Sequence, residues 1–271
     1  MFGQKESAIE IMIKELIPSR IKKILRPFYK ILIGKSQHSI SRNMPMIQIV
    51  RRGGFDIAYR KGSADEYVLE HSFDSDIFFS GVPEYQHAGD QLIIDVGAHI
   101  GTFSLLASSK VKDGKVFAIE ASEESFNMLR INVALNMASN ISVHHLALTD
   151  HDGTSILYHD DGNWGHSAVK QLSRISETSP SMTLSHFLLM NQINRCHFMK
   201  LNCEGSEFPI LLSTPFDILQ KFDIILTLYH CDLWEKNTEA DIIEHFSKSG
   251  FQSILRNQEK DRGWIIAKKI V

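Results

Sequence analysis

The chain has 271 residues, 43% hydrophobic and 23% charged, with a formal net charge of −3 at pH 7. This length holds one large α/β domain with an appendage, and the even composition excludes a low-complexity chain. The acidic balance argues against a nucleic-acid partner, and three cysteines without paired spacing, Cys196, Cys203 and Cys231, fit a reduced, cytoplasmic setting rather than a disulfide framework.

The charge is uneven along the chain. Residues 1–52 carry 11 Lys and Arg against 3 Asp and Glu, so a basic head precedes an acidic body. Within residues 1–45, Ile17, Ile21, Ile24, Leu25, Phe28 and Leu32 recur at helical spacing opposite Arg20, Lys22, Lys23, Arg26, Lys30 and Lys35, with Pro27 interrupting. This basic amphipathic extension has two readings. Residues 17–35 either make a peripheral contact with an anionic membrane surface or pack on the protein body with their lysines in water. Glu6, Glu10 and Glu15 argue against a secretory signal, Phe2 excludes N-myristoylation, and no apolar run approaches the ~18 residues of a membrane span. The expected location is cytoplasmic, including the inner face of a membrane.

Residues 46–90 mix short apolar runs with Gly and acidic residues and predict a few strands or a small cap. From Gln91 onward strand and helix patterns alternate. The runs 92–96 (LIIDV), 116–120 (VFAIE), 141–148 (ISVHHLAL), 197–202 (HFMKLN) and 223–229 (DIILTLY) predict strands, and 122–136 predicts an amphipathic helix. Such alternation means a mostly parallel sheet with crossover helices. Residues 251–258 and 263–269 predict a terminal hairpin that places an antiparallel strand at the sheet edge. The turn-rich stretch 149–182 lacks helical periodicity and is expected to fold over the strand ends and shape a substrate pocket.

The chemistry concentrates after the 92–96 strand. Asp95, Gly97 and Gly101 form an acid-x-Gly-x-x-x-Gly turn that opens a helix, placing bare backbone and helix N-terminal amides where a ligand binds. A dinucleotide fingerprint needs glycines at 97, 99 and 102, but His99 and Thr102 occupy the last two, which disfavours an NAD-linked oxidoreductase. The spacing matches instead the first motif of S-adenosylmethionine (SAM) methyltransferases, in which Asp95 helps orient the ammonium of the amino-acid tail. Glu120 ends the next strand, 19 residues past Gly101, where a carboxylate accepts both ribose hydroxyls. A tight strand-to-helix turn with a helix-capping acid is the alternative explanation.

Residues 93–108, 114–136, 141–158, 182–188 and 198–211 follow the order and spacing of the FkbM-type methyltransferases, which the chain resembles over about residues 85–231. The strongest signature is Lys-x-x-x-Glu-Gly-x-Glu, here Lys200, Glu204, Gly205 and Glu207. The resemblance implies a Rossmann-like class I methyltransferase fold of the α/β class: a seven-stranded, mostly parallel sheet with an antiparallel last strand, preceded here by the helical and cap extension. It also implies SAM as cofactor, with no catalytic metal as a general requirement, and O-methylation of a hydroxyl on a sugar, glycan or natural-product acceptor. Asp95, Gly97, Ala98, His99, Gly101 and Glu120 would surround SAM, with Leu146 and Ala147 near its adenine and Lys200 and Glu204 by the transferred methyl. Glu204 and His230 are the candidate bases for the acceptor hydroxyl.

Three family acids are replaced, by Asn202, Ser185 and Leu228, which leaves a second reading: a non-catalytic descendant that binds SAM or a glycan. Adjacent His144 and His145 point to opposite strand faces and cannot share an ion. His159 and His166, with Asp160 and Asp161, are expected to be solvated loop residues, so no structural metal is expected. Oligomeric state is not encoded in any pattern here. Co-sedimentation with anionic vesicles separates the two readings of the basic head. Equal binding by the full chain and by residues 46–271 is the result expected of a packed helix, and loss of binding on truncation assigns the membrane contact to residues 17–35.

Overall fold

A computed structural model of the chain describes residues 46–75, 77–159 and 166–270; the basic amphipathic extension at 1–45 lies outside the described residues. Its organising element is a seven-stranded sheet. Strands β3 (Leu92–Val96), β4 (Lys115–Glu120), β5 (Ile141–His145), β10 (Cys196–Leu201), β11 (Phe222–His230), β12 (Phe251–Glu259) and β13 (Arg262–Lys269) pair in the order β12-β13-β11-β10-β3-β4-β5. All neighbours are parallel except β13, which is antiparallel to both β11 and β12.

The central strands are continuous apolar runs because both of their faces are covered. Side chains alternate between two cores: Ile93, Phe198 and Ile224 enter one, while Ile94, Met199 and Ile225 enter the other. Helices α2 (Thr102–Lys110) and α3 (Glu123–Leu135) cross between the first strands. Glu123 and Glu124 in the first turn of α3 complement the positive end of its dipole. The second core is filled from outside the sheet by α4 (Leu184–Met190), α5 (Glu207–Ser213), α6 (Phe216–Leu219) and α7 (Glu239–Lys248), the last with a reciprocal Thr238–Asp241 capping box.

Two expectations change in detail. The terminal hairpin forms, but its antiparallel strand is not the edge: β13, buried from Gly263 to Ala267, inserts beside β11, and the mostly exposed β12 takes the edge. The run 141–148 is not one strand. The Leu146 N–H bonds to the Glu120 carbonyl, and the chain then leaves the main sheet as β6 (Ala147–Thr149). With β7 (Gly153–His159), β8 (His166–Ser167) and β9 (Ser176–Thr183), it builds a second sheet of order β6-β9-β7-β8. Among its described residues the 149–182 stretch is therefore mostly strand. Its inward positions include the small polar Ser155, Ser179 and Ser181, so hydrophobic alternation does not reveal it.

The segment before the sheet is a hairpin of β1 (Ile47–Arg52) and β2 (Phe55–Arg60), followed by α1 (Asp65–Leu69), which continues as a π-turn through Asp74. Asn132 on α3 and Asn136, which caps its C-terminus, treat β2 as a neighbouring strand. The Asn132 amide accepts from the Ala58 N–H (2.7 Å) and donates to the Ala58 carbonyl (3.0 Å) and the Ile100 carbonyl (2.8 Å). The Asn136 amide pairs with the N–H (2.9 Å) and carbonyl (2.8 Å) of Asp56. Replacing fully buried Asn132 by Ala orphans the buried Ala58 N–H and two carbonyls, which costs on the order of 3 kcal/mol. Urea denaturation should show this loss for Asn132→Ala; a change below about 1 kcal/mol contradicts the docking of the hairpin through this side chain.

Candidate active site

Register places Lys200 of β10 beside Asp95 of β3. The Lys200 ammonium, 4% exposed, donates to Asp95 Oδ1 (3.0 Å), the Gly97 carbonyl (2.7 Å) and the Val96 carbonyl (3.4 Å). Ser104 adds a hydroxyl bond to Asp95 Oδ2 at 2.6 Å. All three ammonium protons are thus engaged beneath the turn that follows β3. Asp95 is fully buried and lies off the wall of the cavity above it. Its carboxylate faces the protein's own ammonium and not the space where a ligand ammonium would sit.

The glycines of this turn answer first to packing. Gly97 has φ +71°, and a Cβ there would lie 1.9 Å from the Asn202 carbonyl oxygen. Gly101 has φ +88°, and its Cβ would lie 2.5 Å from Leu129 Cδ1 on α3. Gly97 also lines the cavity, whereas Gly101 is off its wall and lets α2 start against α3.

Between them, His99 adopts φ +52°, a left-handed conformation that His tolerates better than most residues. Its backbone N–H donates to Glu120 Oε2 at 2.8 Å, and the Ser122 N–H donates to Glu120 Oε1 at 2.9 Å. Glu120 is thus fixed at the tip of β4 with lone pairs still free on each oxygen. Burial raises its pKa, with the two N–H bonds opposing. Burial also pushes the His99 imidazole down to about 4, against the pull of nearby Asp65.

The cavity, about 590 Å³, opens at the carboxyl ends of β3, β4 and β10, where open α/β sheets place their ligands. Of the catalytic and cofactor-binding residues expected from the sequence, Gly97, Ala98, His99, Glu120, Leu146, Ala147, Lys200 and Glu204 line it. The 149–182 stretch reaches it through Leu157, His166 and Ala168. Sequence reasoning missed Tyr67, His71 and Phe78 before the sheet, and Asn257, Arg262 and Trp264 of the terminal hairpin, all on the wall.

His230 is off the wall. It is fully buried, its ring nitrogens 3.3 Å from Glu207 Oε1 and 3.7 Å from Glu204 Oε2. Burial alone would lower its pKa, but the two carboxylates outweigh burial and raise it, which favours an imidazolium rather than a free base. Glu207 is fixed by the N–H groups of Cys203 (2.5 Å) and Gly205 (2.8 Å). Burial would raise its pKa, but His230 and these bonds hold it below the usual carboxylate value. Glu204, at φ +50° on the cavity wall, has its pKa raised by burial. Carboxylate, imidazole and carboxylate stand in series, with Glu204 facing the cavity.

The two histidines of β5 face opposite ways: His144 packs on Phe117 and Phe187, and His145 on Phe126. His159 lies 3.3 Å from Glu177, a partner not foreseen for it. Among the described residues no three His, Cys, Asp or Glu side chains gather as a metal site, and no helix is long and apolar enough to cross a membrane.

The His99 shift has a measurable sign. Its folded-state pKa lies below the usual 6.5, so its contribution to stability is present above pH 6.5 and lost as the pH falls toward about 4. His99→Asn keeps a side chain that tolerates the left-handed turn. Its melting temperature should fall less steeply than wild type between pH 6.5 and 4, by the equivalent of one proton; parallel curves contradict a lowered His99 pKa.

The family model for the Methyltransferase FkbM domain matches residues 95–253. Methyltransferase 1 of Beauveria bassiana (strain ARSEF 2860) is 25% identical over 143 residues, 45% of this chain and 57% of that protein. The chain therefore covers less than two thirds of that relative's length. Similar solved structures include an FkbM methyltransferase from Methylobacillus flagellatus KT, 16% identical with a TM-score of 0.46 over 70% of this chain and 46% of that one. Another is M. jannaschii TYW2 in complex with AdoMet, 13% identical with a TM-score of 0.44 over 86% and 90% of the two chains. The family match runs from Asp95 at the end of β3 to Ser253 in β12, more than half of the 271 residues, and the chain belongs to the FkbM methyltransferase family.

Proposed function

We propose that this chain is a SAM-dependent O-methyltransferase that modifies a hydroxyl of a small-molecule, sugar or glycan acceptor. S-adenosylmethionine is the cofactor of its family. The observation that carries the reading is Glu120: a carboxylate at the tip of β4, oriented by two backbone N–H groups, with lone pairs left for two ribose hydroxyls. The fit extends along the wall. Ile119 and Leu146 to Leu148 offer an apolar surface to an adenine, and Gly97 to His99 present the turn to the amino-acid tail. The volume suits a ligand of this size together with an acceptor.

When bound, SAM supplies an electrophilic methyl group on a sulfonium. The protein's part is to hold the acceptor hydroxyl in line with it and to take the hydroxyl's proton. Glu204 is the base in this reading, because it faces the cavity and its raised pKa brings it nearer the working pH. His230 serves as the positioning residue behind it, a cation shared between Glu204 and the fixed Glu207. Lys200 stays with the turn: its protons are spent on Asp95 and two carbonyls, so it acts through the geometry of the site. The reading of a binding-only descendant draws on Asn202, which lines the cavity where the family carries an acid and whose Oδ1 is buried without a hydrogen-bond partner.

Titration calorimetry with S-adenosylhomocysteine and with NAD tests the cofactor assignment. Binding of the first and not of the second is expected, with Glu120→Ala weakening it at least tenfold; NAD binding contradicts the reading. With an acceptor found from a panel of hydroxylated small molecules and glycans, Glu204→Gln should lower kcat by about a hundredfold or more while leaving adenosylhomocysteine affinity unchanged. Full activity in that variant removes Glu204 as the base, and tight binding without turnover on any acceptor favours the binding-only reading.

A further inference from the structure

One buried ion pair outside the family-matched segment reaches into the glycine turn. Arg60 ends β2 and Asp65 opens α1; they are 4% and 0% exposed. The guanidinium grips the carboxylate at two points, Nε to Oδ2 at 2.9 Å and Nη2 to Oδ1 at 2.7 Å, and the Arg60 backbone N–H adds a third bond at 2.7 Å. The pair does not close on itself. The same guanidinium donates to Ser125 Oγ on α3 at 3.1 Å and lies 3.5 Å from His99 Nε2, with Asp65 Oδ1 3.4 Å from that nitrogen.

A buried pair of this kind adds little net stability over apolar side chains of the same shape, so stability alone does not account for it. His99 does. A residue with φ +52° persists only where its surroundings hold it. Asp65 and Arg60 flank the imidazole on one side, and the backbone N–H of the same residue orients Glu120 on the other. The Asn132 bond to the Ile100 carbonyl ties the next residue of the turn to the same helix that docks β2.

We propose that Arg60 and Asp65 are positioning residues of the cofactor site: they clamp the His99 imidazole so that its backbone N–H aims the Glu120 carboxylate at the ligand. The inference rests on the reading of Glu120 as the ribose-binding carboxylate. It makes the β1–β2–α1 segment part of the site that the family domain contains only in part.

Asp65→Asn alone strands a buried guanidinium and risks unfolding, so the informative variant is Arg60→Met/Asp65→Leu, which fills the same space without charge. Hydrogen exchange on the ligand-free protein should show the His99 amide exchanging at least ten times faster in this variant, with the amides of Ile93 and Ile94 unchanged. Calorimetry with S-adenosylhomocysteine should show affinity at least ten times weaker, and this loss should vanish in a Glu120→Gln background because both changes act through one carboxylate. Unchanged exchange at His99, unchanged affinity, or losses that simply add across the two backgrounds each overturn the proposal. If the wild-type chain itself fails to bind adenosylhomocysteine, the ribose reading falls, and the exchange measurement alone then decides whether the clamp exists.

Discussion

The Lys200 ammonium lies beneath the turn after β3 with its three protons spent on Asp95 and on the carbonyls of Val96 and Gly97. A buried charge is tolerable only when paired and hydrogen-bonded in this way. Its consequence is geometric: with those carbonyls drawn down toward β10, the turn runs through the left-handed conformations of Gly97 and His99. The His99 N–H then meets Glu120. The part of the site that meets Glu120 through the Gly97-to-His99 turn builds on that arrangement. Gly97 is fixed by the same approach, because any side chain there collides with the Asn202 backbone.

The site combines parts of different origin. The glycine turn, Glu120 and the Lys200–Glu207 block fall inside the family-matched segment, whereas Tyr67, Phe78, Asn257, Arg262 and Trp264 line the cavity from the flanking segments. Chemistry carried on a rigid scaffold with variable walls is how one fold serves many acceptors. The Glu204–His230–Glu207 series belongs to the scaffold half: it places one carboxylate on the wall, with the His230 imidazole behind it and off the cavity.

How much of this the amino-acid pattern revealed depends on the range of each interaction. The glycine turn, the Glu120 spacing and the alternation of strand and helix are local, and they were legible because spacing along the chain carries them. The orientation of Asp95 was not. Its partner Lys200 is 105 residues away, and only the β3–β10 register makes them neighbours. His230 read as a candidate base because its type and strand-end position suit one, but it lies off the cavity wall between Glu204 and Glu207 of the segment after β10, and these carboxylates raise its pKa. The 149–182 stretch concealed its strands because serines occupy inward positions that hydrophobic alternation assigns to apolar residues. Arg60 and Asp65 carry no motif at all, and their meaning appears only when β2 docks on α3 through Asn132 and Asn136.

The central claim is that a turn locked by Lys200 holds Glu120 ready for a ribose before any ligand arrives. A crystal structure of the full chain with S-adenosylhomocysteine measures this directly. The account predicts both ribose hydroxyls within hydrogen-bonding distance of the Glu120 carboxylate and backbone displacements in residues 95–101 of less than about 1 Å. A ribose bound elsewhere, with Glu120 keeping only its two backbone partners, contradicts it.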